Sequence, residues 1–116
     1  MIKKISRVPS HPLGETEEFA LLVVVALGDE AYGVAVQRRL ERDANRRLAL
    51  GAVYAALERL EHKGYLVSEF GDATPQRGGR RKRVFSVTAE GLRAVRDVRR
   101  TRERLWQLVE ASETGG

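Results

Sequence analysis

The 116-residue sequence contains no cysteine, which excludes disulfide bonds, thiolate nucleophiles and cysteine-ligated zinc, and suits a reducing cytoplasm. Long apolar segments are also missing. The longest apolar run, from Phe19 to Leu27, is far shorter than the roughly 20 residues that cross a bilayer. The two histidines, His11 and His62, lie far apart without metal-ligand spacing. We therefore expect a cytoplasmic protein with no metal and no membrane partner.

Signatures of enzymes are missing as well. The sequence has no catalytic acid–base pair and no nucleophile motif. Gly78 and Gly79 lie between two strand-like segments, whereas a nucleotide-binding loop opens a helix after a strand. The sequence therefore predicts a protein that is not an enzyme and has no cofactor.

Positive charge is abundant and concentrated in one part of the chain. Residues 77–104 contain eleven Lys or Arg and three acidic residues, while the rest of the chain contains ten basic and thirteen acidic residues. Clustered charge of this kind suits a polyanionic partner, which is DNA, RNA or an anionic membrane surface. Composition alone does not choose among these three, but a membrane surface is disfavoured because the basic charge lies between two strand-like segments and not opposite an exposed apolar helix face.

The hydrophobic pattern predicts three helices in the first half of the chain. Residues 1–14 contain two prolines and few apolar residues, and we interpret them as a flexible arm. Apolar residues surround nearly the whole first helix, which we therefore expect to be buried. The expected helices run from Glu15 to Leu27, from Tyr32 to about Ala44, and from Gly51 to Lys63, with stops at Gly28 and Gly64.

Two strands and a long helix follow. Residues 65–70 and 83–88 show the alternation of short strands and flank the basic segment GDATPQRGGRRK. They predict a hairpin with a long loop. Thr88 is placed to cap a helix over residues 89–112, and we expect a disordered tail over 113–116.

Three helices followed by a basic hairpin are the order of a winged helix-turn-helix, here mainly α with a small β-hairpin over residues 15–88. In that fold the third helix enters the major groove of double-stranded DNA, and the wing contacts the backbone. The candidate DNA-binding residues are Gly51, Ala52, Tyr54, Ala55, Arg59, Arg77, Arg80, Arg81, Lys82 and Arg83.

Several of these residues have a second interpretation. The basic loop could serve solubility alone. Tyr54 could be a half-buried core residue, and Arg59 could form an ion pair within the chain. Arg83, at the start of a strand, could likewise pair within the fold.

The stretches YG at 32–33, GAVYAALERLEHKGYL at 51–66 and GGRRKRVFSVTAEG at 78–91 resemble the PadR family of transcriptional regulators. The resemblance implies a homodimer that binds a pseudo-palindromic operator, usually as a repressor, with the C-terminal helix as the main dimer contact. Many relatives have Ser or Thr early in the third helix and Pro after the tyrosine, where this chain has Gly51 and Ala55. Fewer polar groups are thus available to read bases.

The last helix carries an apolar stripe that we assign to dimerisation. Trp106, the only tryptophan, could also stack a flat small-molecule effector between two copies. An alternative function is a winged-helix protein-interaction module that does not bind DNA. The predicted dimerisation residues are Leu92, Val95, Val98, Leu105, Trp106 and Val109.

Overall fold

The computed structural model describes residues 12–71 and 82–115. Most of the predicted arm and the predicted loop between the strands lie outside these ranges. The helices are α1 (Glu15–Leu27), α2 (Gly33–Ala44), α3 (Leu50–His62) and α4 (Ala89–Gly115), with a 3₁₀ turn at Gly28–Glu30 and the strands β1 (Leu66–Phe70) and β2 (Arg83–Val87). The predicted class, mainly α with a small hairpin, is confirmed.

The helices end where the backbone leaves the right-handed region. Gly28 follows α1 with φ of 58°, and Asn45 follows α2 in the left-handed conformation with φ of 55°. Gly64, two residues after α3, has φ of 85°. Glycine takes such angles without steric cost and asparagine at a small one. Both glycine stops expected from the sequence are therefore confirmed.

One hydrophobic core lies between the helices and the hairpin. The stripe residues of α2 and α3 point into it, as their helical spacing predicts. Phe85 of β2 is completely buried at its centre. The largest fully buried side chains are those of Leu21, Val24, Val36, Leu40, Val53, Leu57, Leu60, Leu66 and Phe85.

The hairpin is attached to the helices through β2. β1 and β2 are antiparallel, with Leu66 opposite Val87 and Phe70 opposite Arg83. On its other side, β2 bridges to the segment before α2, where the Phe85 N–H donates to the Ala31 carbonyl oxygen at 2.8 Å. The wing is therefore fixed at its base beside the N-terminus of α2.

Thr88 joins the hairpin to α4. Its hydroxyl accepts a hydrogen bond from the Gly91 N–H at 3.0 Å and donates one to the Gly64 carbonyl oxygen at 2.7 Å. The predicted N-cap is confirmed, and the same hydroxyl also links α4 to the end of α3. This close approach requires Gly91, because a Cβ there would lie 2.3 Å from the Tyr65 carbonyl oxygen.

We expect Gly91→Ala to destabilise the protein by about 1–3 kcal/mol, because the added methyl group forces the backbone of Tyr65 away from α4. Thermal unfolding followed by circular dichroism measures this change. Gly51→Ala is the matched control, since a Cβ at Gly51 meets nothing within 4 Å. An equal effect of the two substitutions would contradict the close-packing argument.

Two expectations about the helices were wrong. α1 is not fully buried, because Leu22 and Val25 are each 48% exposed. α4 continues to Gly115, so residues 113–115 are helical rather than part of a tail. Every residue from Thr101 to Gly115 is exposed, so this half of α4 has no covering surface within the described chain.

Candidate nucleic-acid interface

One face of α3 is open. The helix packs on the core through Val53, Ala56, Leu57 and Leu60, and its N-terminal outer face is exposed. That face consists of small residues, Gly51, Ala52 and Ala55, which are all exposed. Small side chains let a helix backbone approach the bases closely. Three residues that the sequence predicted for DNA contact therefore lie together on one surface.

Tyr54 lies between this face and the core. Its side chain is half-buried, with its ring centroid 6.4 Å from that of Phe85. The ring also abuts the N-terminus of α2, since a Cβ at Gly33 would come within 2.4 Å of the Tyr54 Oη. The half-buried packing role that the sequence allowed is thus present. A contact of the hydroxyl with DNA stays a prediction.

Arg59 is paired within the chain. Its Nε donates to the Glu17 carboxylate at 3.0 Å, and the Lys63 Nζ donates to the same carboxylate at 2.6 Å. Glu17 is only 5% exposed and also accepts the Gly14 N–H at 3.1 Å. Burial raises the pKa of Glu17, but these three hydrogen bonds outweigh it and hold the pKa below its usual 4.5.

This pairing predicts a defined dependence of stability on pH. A carboxylate with a lowered pKa in the folded state stabilises the protein above pH 4.5, and the contribution is lost as pH falls through the folded pKa. We expect Glu17→Gln to cost about 1–3 kcal/mol at pH 7, because it weakens charge-assisted bonds. The difference from the unsubstituted protein should shrink below pH 4.5.

Urea unfolding at several pH values measures this difference. Glu15→Gln is the control, because Glu15 forms an exposed ion pair with Arg46, and exposed pairs contribute about 0–1 kcal/mol. A cost of Glu17→Gln that stays constant down to pH 3 would contradict the assigned role of the carboxylate.

Lys82 directly precedes β2, and Arg83 is the first residue of that strand. Their side chains differ in their contacts. Lys82 is exposed, with its Nζ 4.4 Å from the centroid of the Tyr32 ring and no ion pair among the described residues. The Arg83 side chain is only 23% exposed and its guanidinium contacts two carboxylates of α3. Arg77, Arg80 and Arg81, the other predicted wing contacts, lie outside the described residues.

The Arg83 guanidinium turns inward, as the second interpretation of the sequence allowed. Nη2 donates to Glu61 at 2.6 Å, Nη1 to Glu58 at 3.2 Å, and Nε to the Ser68 hydroxyl at 3.1 Å. Burial lowers the pKa of Arg83, yet the bonds to Glu58 and Glu61 outweigh it and raise the pKa. Its predicted direct contact with DNA does not fit this geometry.

The predicted dimerisation stripe divides into two parts. Val95 is buried in the core of its own chain and is not available to a second copy, whereas Leu92 is only partly buried against that core. Leu105, Trp106 and Val109 are 56%, 62% and 42% exposed. Val98 lies between these parts and is half-buried. The division occurs near Arg102, which donates to Glu18 of α1 at 2.8 Å.

Sequence reasoning missed two exposed apolar residues of α1, Leu22 and Val25. The signal was present, because an uninterrupted apolar run from Phe19 to Leu27 supplies more apolar faces than one small core can cover. Together with Leu105, Trp106, Leu108 and Val109 of α4, these residues form what we call the exposed apolar set.

Other kinds of site find no support in residues 12–71 and 82–115. No cluster of three or more His, Asp or Glu side chains there could hold a metal ion. Within the same ranges, no helix combines the length and apolar character needed to cross a membrane.

The chain combines three helices with an antiparallel hairpin that is attached beside α2, and the third helix has an open outer face. This arrangement defines the winged helix-turn-helix class of DNA-binding proteins. Residues 21–97 match the model of the transcriptional regulator PadR-like family. The match covers more than half of the chain, which therefore belongs to this family. Its members are DNA-binding transcription regulators and not enzymes, in agreement with the expectation from the sequence.

Solved structures support the assignment. A PadR family transcriptional regulator from Eggerthella lenta is 28% identical with a TM-score of 0.62, over 84% of this chain and 82% of that one. A transcriptional regulator from Clostridium thermocellum is 19% identical with a TM-score of 0.66, over 95% and 96% of the two chains. The second likeness concerns the fold alone. No curated protein is similar enough to count as a match.

Proposed function

We propose that this regulator is a homodimeric repressor that binds a pseudo-palindromic operator. The observation that carries the proposal is the second half of α4, a solitary helix with Leu105, Trp106 and Val109 exposed. Helices of this length are marginal in water without packing, and a contiguous apolar patch marks an interaction surface. A second copy supplies the same apolar residues and covers both patches.

The open face of α3 is the proposed reading surface. Gly51, Ala52 and Ala55 bring the helix backbone close to the bases, and Tyr54 reaches the phosphate backbone beside the N-terminus of α2. Few polar groups on this face can form base-specific hydrogen bonds. Sequence choice then depends in part on DNA shape, which is read through the fit of helix and wing.

The wing supplies most of the affinity in this proposal. Lys82 is exposed directly before β2, and Arg77, Arg80 and Arg81 precede it in the sequence. Phosphate contacts of this kind hold the protein in register without reading sequence. In a two-fold dimer, the half-sites lie about one helical turn, ~34 Å, apart.

Selection of bound fragments from a random DNA pool tests the proposal. We expect a two-fold symmetric motif with the purified protein, and no enrichment with a triple variant carrying Arg80→Ala, Arg81→Ala and Lys82→Ala. A promoter containing the selected motif should be less active when the protein is present, as repression requires. Lack of any enriched motif would favour the alternative, a winged-helix module that binds proteins instead of DNA.

A small-molecule effector at Trp106 stays a prediction. The exposed indole lies among Arg102, Leu105 and Val109 at the surface of α4, where a second copy would bring another indole close. A flat aromatic compound could then stack between the two rings. Quenching of the single tryptophan by such a compound in the dimer tests this prediction.

A further inference from the structure

Four side chains join the wing to α3. Arg83 of β2 donates to Glu61 and Glu58 of α3 and to the hydroxyl of Ser68 in β1. Ser68 in turn donates to the second oxygen of Glu61 at 2.8 Å. We call these residues, Glu58, Glu61, Ser68 and Arg83, the wing clamp. It contacts both strands of the hairpin and the last two turns of α3.

If their charges alone are considered, the two acids of the wing clamp should weaken binding to DNA. Glu58 is 60% exposed on α3, the helix proposed to enter the groove, where a carboxylate repels phosphates. Glu61 is 32% exposed. Their positions are explained by geometry, because residues three apart on a helix share one face. Together they hold a single guanidinium by hydrogen bonds through two of its nitrogens.

We infer that Arg83 is a positioning residue that fixes the angle between wing and α3, and so sets operator affinity and specificity without contacting DNA. The inference rests on the proposed function. A guanidinium has a planar, rigid arrangement of donors, and charge-assisted bonds of this kind constrain direction as well as distance. The Arg83 guanidinium also packs on the Phe85 ring, with the ring centroid 4.8 Å from the Arg83 Cζ.

The position of Arg83 along the chain makes the clamp effective. Arg83 is the first residue of β2 and directly follows Lys82. A small rotation of the hairpin about its attachment at Ala31 would displace the wing relative to the bases contacted by α3. A displacement of this kind weakens binding to a specific site, which needs both contacts at once. It has little effect on sequence-independent binding, which needs only nearby phosphates.

Binding of the selected operator and of an unrelated duplex, each at several salt concentrations, tests the inference. Arg83→Met keeps the aliphatic stem and should weaken operator binding about tenfold, with little change for the unrelated duplex. The slope of log affinity against log salt should stay unchanged, because the displaced wing still contacts the same number of nearby phosphates. If Arg83 contacted phosphate, the slope would become less negative by about 0.9 per lost contact, and the inference would be overturned.

Glu61→Gln separates positioning from simple charge effects. Removing a negative charge near DNA strengthens binding by itself, whereas a loosened clamp weakens it. We expect operator binding to weaken about threefold, and the double variant Arg83→Met with Glu61→Gln to bind no more weakly than Arg83→Met. Unchanged or tighter binding by Glu61→Gln would overturn the inference. Because Glu61→Gln preserves shape, it decides the matter even if Arg83→Met unfolds.

Arg93→Met is the matched control. Arg93 is exposed on α4, and the structure shows no ion pair for it within the described residues. Its loss removes the same charge without touching the clamp, and operator binding should change less than with Arg83→Met. If the unsubstituted protein bound no duplex at all, the proposed function would fail instead of the clamp.

Discussion

Leu105→Asp is expected to convert the protein to a monomer and to lower its affinity for the operator by at least about 100-fold. The Leu105 side chain is 56% exposed in the single chain, so its replacement leaves the core intact. In a dimer the new carboxylate would be buried without a partner, at a cost of several kcal/mol. Two separate protomers bind their half-sites independently, and they lose the gain in affinity that linked binding modules provide, which is about 10²- to 10⁴-fold.

Sedimentation and tryptophan fluorescence measure this effect together. Trp106 is the only tryptophan, so its emission should shift to shorter wavelength as the unsubstituted protein dimerises with rising concentration, but not in Leu105→Asp. Gln107→Asp adds the same charge to an exposed position of α4 outside the apolar set and should leave the dimer intact. A dimeric Leu105→Asp, or an equal loss with Gln107→Asp, would contradict the assigned interface.

The sequence correctly predicted those parts of the fold in which a single local signal determines the structure. The stripes of α2 and α3 follow from helical spacing, and the stops at Gly28 and Gly64 follow from backbone angles that glycine allows. Thr88 caps α4 because a hydroxyl just before a helix satisfies a free N–H. Each of these features depends on residues within a few positions of one another.

The features that the sequence left open or missed concern residues whose surroundings come from distant parts of the chain. Arg59 pairs with Glu17, 42 positions away, and Arg83 pairs with Glu61, 22 positions away. Hydrophobic periodicity along the sequence gives no information about partners that are so far apart. Hydrophobic spacing likewise cannot say that Val95 is covered by its own core while Leu105, on the same stripe, is exposed. That division depends on where α4 passes the end of α1.

Two neighbouring acids of α1 connect the end of α3 to α4. Glu17 pairs with Arg59 of α3 and with Lys63, the residue directly after α3, and its neighbour Glu18 pairs with Arg102 of α4 at 2.8 Å. The proposed reading helix and the proposed dimer helix are thus attached to adjacent residues of one rigid element. These ion pairs favour one placement of α3 relative to α4, which the proposed binding of a dimer to two half-sites at a set spacing would require.

The second large effect concerns salt. We expect operator affinity to fall roughly 10³-fold or more when monovalent salt rises from about 50 to 200 mM, because each protomer is proposed to neutralise about three to five phosphates. The basic segment that precedes β2 makes this expectation specific, since it contains Arg77, Arg80, Arg81 and Lys82. Titration of labelled operator at four salt concentrations gives the slope. Unfolding curves at the same salt concentrations show whether the folded state persists. An operator affinity that does not change with salt would contradict phosphate contact by the wings.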